Sequence, residues 1–134
     1  MKKILISIVI LGAIGAGIGY YLYNKPVESL ENKKADLEVT AAKLLSDYET
    51  DENAANAQYL GKIVQVSGTV ANVLNEGGKM TIHLNTDNPI SLIICNLEDG
   101  AAQPDVTAGA EIKVKGNCSG YLSDVVLDRS SIVK

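Results

Sequence analysis

Residues 62–73, KIVQVSGTVANV, alternate like a β-strand but carry a glycine at the centre. Val64, Val66 and Val70 fall on one face among polar residues, the period-two pattern of a strand with one buried side. Gly68 is the residue least suited to the middle of such a run. Inside a strand, glycine marks a bulge, a tight bend or a close approach by another part of the chain. A first strand that must bend halfway along belongs to a sheet that curls upon itself, and few folds accommodate that.

Four more strand-like runs follow. Residues 79–85 alternate Met80, Ile82 and Leu84 against Thr81, His83 and Asn85, and NEGG at 75–78 supplies a hairpin turn before them. Residues 90–97 are nearly continuous in apolar side chains. Residues 111–118 alternate Ile112 and Val114 with Lys113 and Lys115, and residues 124–133 follow the turn SGYLS at 119–123. The link 98–109, with Gly100 and Pro104, is long and polar. Five strands with one long link predict a small closed antiparallel barrel, because closure removes exposed sheet edges. Gly68 is then one corner of the barrel, and Gly116 in VKGNC is the matching corner in the fourth strand. With no Trp, no Phe and six Tyr in 134 residues, the core must be built mainly from Val, Ile, Leu and Ala.

Upstream, Leu37, Ala41, Leu44, Leu45 and Tyr48 recur at helical spacing with Asp36 as a candidate N-cap. Asp51 can cap a second short helix, with Ala54, Ala55 and Tyr59 on its buried face and Gly61 at its end. Asp47, Glu49 and Asp51 imitate the opening of a calcium loop. The sixth place is Glu52 instead of Gly and the twelfth is Gln58 instead of Glu, so these acids read as a solvated helix junction. Tyr48 and Tyr59 read as packing residues.

Residues 4–23, ILISIVILGAIGAGIGYYLY, contain no charge. A helix of that length spans about 30 Å, the thickness of bilayer hydrocarbon. Tyr20, Tyr21 and Tyr23 gather at its far end, where amphipathic rings favour the interface, and Lys2 and Lys3 precede it. This predicts a single-pass anchor over 1–24 in a bacterial inner (cytoplasmic) membrane. The N-terminus is then cytoplasmic, and everything after a tether at 25–35 is periplasmic or extracellular. A cleaved signal peptide is the competing reading, but its apolar core is ordinarily shorter. No cysteine lies near the run to carry a lipid. Gly15 and Gly19 sit at the spacing that lets membrane helices approach one another, a pattern common enough in such helices to decide nothing.

Charge divides the chain the same way. Residues 1–35 hold five lysines and two acids, a balance of +3; residues 36–134 hold seven basic residues and fourteen acids, a balance of −7. An acidic domain repels a polyanion unless a local basic patch overrides its field.

The stretch TAAKLLSDYETDENAANAQYLGKIVQVSGTV, the run VKGNCSGYLSDVVL and the apolar last strand resemble the tRNA_anti-like family of small bacterial OB-fold proteins. The resemblance covers about residues 36–134. It implies a mainly β fold: a five-stranded OB barrel (62–134) behind a helical segment (36–60), in a protein exported or attached to a membrane. The family name reflects a likeness to anticodon-binding domains, not a tRNA ligand. Members often have a further cysteine in the last strand, where this chain has Ser130.

OB folds bind ligands on the outer face of strands two and three, framed by the loops after strands one and four. On that face the candidates are Thr81, His83 and Asn85, with Lys79 at the head of the strand. The alternative for His83 is an ordinary solvent-facing strand residue. Tyr121, in the loop after strand four, is a candidate for stacking on a ligand or a plug at the barrel mouth. Cys95 and Cys118 lie in strands three and four, which are not neighbours in such a barrel. Two buried thiols are therefore expected ahead of a disulfide. Two cysteines and one histidine fall short of a zinc site, and no cofactor motif is present. With a single histidine, no nucleophile–base pairing is visible. The expectation is a non-enzymatic, membrane-anchored binding module for a peptide, glycan or protein partner. Single-stranded nucleic acid is the alternative, and an envelope hydrolase a remoter one.

Overall fold

The computed structural model describes residues 2–25, 29–99 and 104–133. In chain order the elements are α1 (Lys2–Asn24), a 3-10 turn (Leu30–Asn32), β1 (Leu37–Thr40), α2 (Ala41–Thr50) and α3 (Glu52–Tyr59). The strands β2 (Ile63–Glu76), β3 (Lys79–Leu84), β4 (Ile93–Leu97), β5 (Glu111–Tyr121) and β6 (Val125–Ile132) follow. α1 is long and apolar enough to cross a bilayer, and has no buried residue.

The sheet runs β1-β2-β3-β4-β6-β5, and β5 returns to pair with β2, so β2 to β6 form a closed barrel. Its strand pairs are antiparallel except β4 with β6, which are parallel, and β1 joins β2 as an extra parallel strand. This is the five-stranded OB barrel. Valines at 64, 66, 70, 114 and 125 fill it with Ile82, Leu84, Ile93 and Leu127. α2 and α3 add Leu44, Leu45, Ala55, Tyr48 and Tyr59 to the same core.

β2 changes partner just past Gly68. It pairs with β5 as far as Thr69↔Glu111 and with β3 from Val70↔Leu84. The glycine also makes room: a Cβ there would come within 3.0 Å of Ala41 Cβ, at the start of α2. Gly116 lies where the β5–β6 register slips between Lys115 and Asn117. A Cβ at Gly116 would strike Ser130 Oγ and stand 3.0 Å from Leu127 Cβ. In both cases an element presses from the side: a Cβ would be tight at Gly68 and would collide at Gly116. The β2–β3 hairpin closes through Gly77 (φ 60°) and Gly78 (φ 82°), a two-residue turn whose left-handed backbone only glycine adopts freely.

Several boundaries differ from the expectation. Leu37 does not belong to the first helix, and Asp36 does not cap it. Residues 37–40 pair with Val64 to Ser67 of β2, and the cap of α2 is Thr40, whose Oγ1 accepts from Lys43 N–H at 3.2 Å. The alternation of Leu37 and Val39 with Glu38 and Thr40 is the strand signal that the helical periodicity concealed. Asp36 instead brackets Ile63, accepting its N–H through Oδ2 at 2.9 Å and donating its own to Ile63 O at 2.7 Å. Asp51 does cap α3, but Ala54 is exposed and the buried face is Ala55 and Tyr59. β4 starts at Ile93, three residues late, because Thr86 and Asn88 fold residues 86–91 into a hydrogen-bonded loop. Ile90 is left 84% exposed at its tip. Of the long link, residues 100–103 lie outside the described residues, as do 26–28 of the segment read as a tether. From Ser29 to Lys33 that segment lies against the barrel, with Leu30 buried.

Cys95 and Cys118 are free and buried. Each faces Leu127, from β4 and β5 on opposite sides of β6. That separation is two strand spacings, about 9.5 Å, beyond the roughly 7 Å limit for a disulfide. Burial pushes the Cys95 thiol up to about 12 and also raises that of Cys118, against hydrogen bonds from Tyr48 and the Gly120 backbone. Ser130 is buried against Gly116, its hydroxyl donating to Leu127 O at 3.0 Å.

Where α2 meets α3, Tyr59 donates to Asp47 Oδ2 at 2.6 Å and Lys43 pairs with the same carboxylate at 2.9 Å. Burial opposes ionisation of Asp47, but the Tyr59 and Lys43 hydrogen bonds and the Lys43 charge outweigh it and hold the carboxyl below 3.8. A folded-state value below the unfolded one contributes stability above the unfolded pKa, lost as pH falls through the folded pKa. Asp47→Asn should therefore lower the urea midpoint at neutral pH, and its gap from the parent protein should close as pH falls through the lowered Asp47 pKa.

Candidate functional site

β3, β4 and β6 lie side by side, so their outward residues form one continuous surface. Thr81 is paired with Asn96 across β3–β4, and its Oγ1 donates to Asn96 Oδ1 at 3.1 Å. Asn96 Nδ2 donates to Asp128 Oδ1 at 2.8 Å on β6, and Ser119 of β5 donates to Asp128 Oδ2 at 2.5 Å. Four strands thus contribute one side chain each to a hydrogen-bonded row. The carboxylate only accepts, so every donor in the row is turned toward Asp128. Thr81 retains acceptor lone pairs, and Asn96 a second N–H and a further acceptor site. The row carries one formal charge, and it is negative.

His83 stands beside this row, half-buried, with Asn72 and Ile94 as its cross-strand partners. Lys79, at the hairpin end of β3, meets Asp99 at 3.5 Å, with both side chains about three-quarters exposed. Such a pair adds little stability. Asn85 is not on this surface. It follows the end of β3, donates its N–H to Thr69 O at 2.8 Å, and lines a separate cleft.

That cleft, about 760 Å³, lies at the Gly68 corner between Thr40, the cap of α2, Ala41 of its first turn, Ser67 and Thr69 of β2, and Glu111 and Lys113 of β5. At this corner α2 presses closely on β2, Ala41 Cβ lying 3.0 Å from where a Cβ on Gly68 would stand. Its walls mix hydroxyls with charges of both signs.

Tyr121 closes β5 and stacks on Tyr48, with centroids 5.4 Å apart and planes at 27°. Tyr48 lies 6.1 Å from Tyr59 and shares a hydrogen bond with Cys118 Sγ at 3.4 Å. One face of the Tyr121 ring is therefore spent on the core. Burial raises the hydroxyl pKa of Tyr48, helped by Cys118, and that of Tyr59, helped by Asp47, so both phenols stay protonated.

The structure thus brings Thr81 and His83 together on one face, puts Lys79 at its edge, and sends Asn85 and Tyr121 elsewhere. Asn96, Ser119 and Asp128 were not singled out from sequence. Their signal is faint, a polar residue at an outward place in each of three strands, and the row emerges only when register is known. Among the described residues, no three His, Cys, Asp or Glu side chains converge as metal ligands would.

The tRNA_anti-like family profile matches residues 1–132, taking in the apolar N-terminal helix as well as the barrel. No curated protein matches the chain in sequence. Among solved structures, the chain resembles a Klebsiella pneumoniae lipoprotein provisionally described as nucleic acid-binding. That match has a TM-score of 0.59 and 16% identity, over 72% of this chain and 92% of that one. A Leishmania major protein provisionally described as an aspartyl-tRNA synthetase matches at a TM-score of 0.47 and 13% identity, over 89% of this chain and 25% of that one. At such identity the first likeness bears on the fold alone.

Proposed function

Because the chain belongs to the tRNA_anti-like family, we propose that it is a membrane-anchored binding module. α1 fixes it as a single-pass protein in the bacterial cytoplasmic membrane, and the barrel works on the periplasmic or extracellular side. It binds rather than catalyses, and its ligand is a peptide, glycan or protein surface that is neutral or cationic. The observation that carries this reading is the row Thr81–Asn96–Asp128–Ser119. A ready-made line of donors and acceptors centred on a carboxylate suits hydroxyls, amides and ammonium groups, and it repels phosphate.

The remaining charges support the same choice. Of the seven basic residues after residue 35, Lys43, Lys79 and Arg129 each face a carboxylate, and Lys115 is buried. Single-stranded nucleic acid is held by a basic groove with aromatic platforms. The outer face of β3, β4 and β6 supplies neither among the described residues. α1 carries the positional part of the reading, since its length matches a bilayer.

Fluorescence titration with single-stranded DNA and RNA at low salt is expected to show no binding. Tight binding that weakens steeply with salt would overturn the ligand class. In the positive direction, a glycan and peptide array should show binding that Thr81→Ala and Asp128→Asn each weaken about tenfold, the equivalent of one charged hydrogen bond. Binding unaffected by both substitutions would remove this face from the proposal.

A further inference from the structure

The segment between membrane helix and barrel has the composition of a tether, yet it is fastened. Ser29 caps the 3-10 turn, accepting from Glu31 N–H at 3.2 Å, and donates to Glu98 Oε2 at 2.9 Å. Leu30 is 4% exposed. Lys115 reaches out from β5, and its ammonium donates to Glu31 O at 2.9 Å and to Lys33 O at 2.5 Å. Three residues further on, Asp36 brackets Ile63 and the chain enters β1. From Ser29 to Thr40 the backbone is thus attached at each stage.

β6 is bent to serve this attachment. Arg129, at φ 51°, is the one non-glycine residue with positive φ among those described. A left-handed backbone is unfavourable for an ordinary side chain, and bulges commonly re-aim a side chain. Here the β5–β6 register slips around Arg129, and its guanidinium meets Glu98 Oε1 at 3.2 Å while Ser29 holds the other oxygen. Burial alone would raise the Glu98 pKa, but the Ser29 and Arg129 hydrogen bonds and the Arg129 charge lower it, keeping the clamp ionised.

Resting on the anchor reading above, we propose that residues 29–33 are a rigid mount that holds this side of the barrel against the lipid headgroups. The chain from Asn24 to Ser29 spans at most about 18 Å however it is arranged, whereas an eleven-residue tether could reach about 40 Å. Charge favours the same orientation. Lys25, Lys33 and Lys34 lie at the mount while the domain beyond carries −7, so an anionic surface attracts the first and repels the second. β6 runs from Arg129 at the mount back to Val125, about 13 Å away. The loop beyond, with Leu122 92% exposed, then points away from the bilayer.

The test uses the full chain in nanodiscs containing a nickel-chelating headgroup lipid. A nitroxide is placed at Glu31→Cys or Ser123→Cys; Cys95 and Cys118 are buried and should not take the label. Relaxation enhancement at position 31 is expected to exceed that at 123 at least fivefold, and Lys115→Met or Glu98→Ala should erase most of the difference. Continued thiol inertness of Cys95 and Cys118 shows that a variant remains folded. Equal relaxation at both positions in the parent chain, or folded variants that keep the full difference, overturns the mount. Failure of the chain to enter nanodiscs overturns the anchor, and headgroup contact with it, even where backbone exchange at residues 30–33 stays slow.

Discussion

Gly116→Val should destabilise the domain by about 3 kcal/mol or more, the upper end of what overpacking a filled core costs. The new Cβ would strike Ser130 Oγ and press Leu127 Cβ; Leu127 and Ser130 are both fully buried on β6. Neither can withdraw without moving the strand that closes the barrel through its parallel contact with β4. A domain of this size has only about 5–15 kcal/mol of stability in all. The thermal midpoint should therefore fall by roughly 15 °C, and urea unfolding should shift with it. Ser130 also provides an internal control. In a Ser130→Ala background the first collision disappears, so Gly116→Ala should cost measurably less there than in the parent chain. Equal costs in the two backgrounds would mean that the glycine is required by something other than its neighbour on β6.

Tyr48→Ala is the second substitution with a large expected effect, about 3–5 kcal/mol by analogy with other large aromatic truncations. The side chain is 1% exposed, stacks on Tyr121, approaches Tyr59, and meets Cys118 Sγ through its hydroxyl. Truncation leaves a cavity between the α2–α3 cap and the barrel, and removes the ring that holds Tyr121 in place. Tyr48→Phe separates the contributions. It keeps the rings stacked and gives up only a hydroxyl–thiol contact, so it should cost about 1 kcal/mol. Chemical denaturation of the three proteins measures both. An alanine variant within 1 kcal/mol of the parent would show that the tyrosine cluster does not join cap to barrel.

The parts of the fold legible in sequence were those written in local periodicity. The alternation in β2 and β3, the Glu76-Gly77-Gly78-Lys79 hairpin and the two mid-strand glycines together led to a closed barrel, and the barrel is present. Where sequence reasoning stumbled, two periods overlapped. Leu37 fits a helix with Ala41 and Leu44, and equally fits a strand with Val39; pairing with Val64 to Ser67 decides for the strand. From sequence the two glycines are corners that let a strand bend. Their other role, making space for Ala41 and for Ser130, depends on which elements lie beside them.

The candidate site was harder to read, for a related reason. Thr81 and His83 can be placed on one face from β3 alone. Asn96, Ser119 and Asp128 become their companions only through the registers of β4, β5 and β6. Asn85 stood in step with His83 in the alternation, but β3 ends at Leu84 and the chain turns into the Gly68 cleft. For Tyr121 the sequence leaves a ligand platform and a plug at the barrel mouth both open, because the ring it stacks on, Tyr48, lies 73 residues earlier in the chain.

A bilayer-bound domain facing away from the cytoplasm underlies everything proposed about partners, and one experiment reaches it directly. Ser123 is exposed beside Leu122, and the two native thiols are buried, so Ser123→Cys offers one reactive site in an otherwise silent chain. Intact cells carrying that variant are treated with a small membrane-impermeant maleimide, and membranes are then washed with carbonate. Labelling before lysis, on protein retained in the washed membranes, is the expected result. Labelling only after lysis would contradict it, placing the barrel in the cytoplasm and its ligand among cytoplasmic molecules.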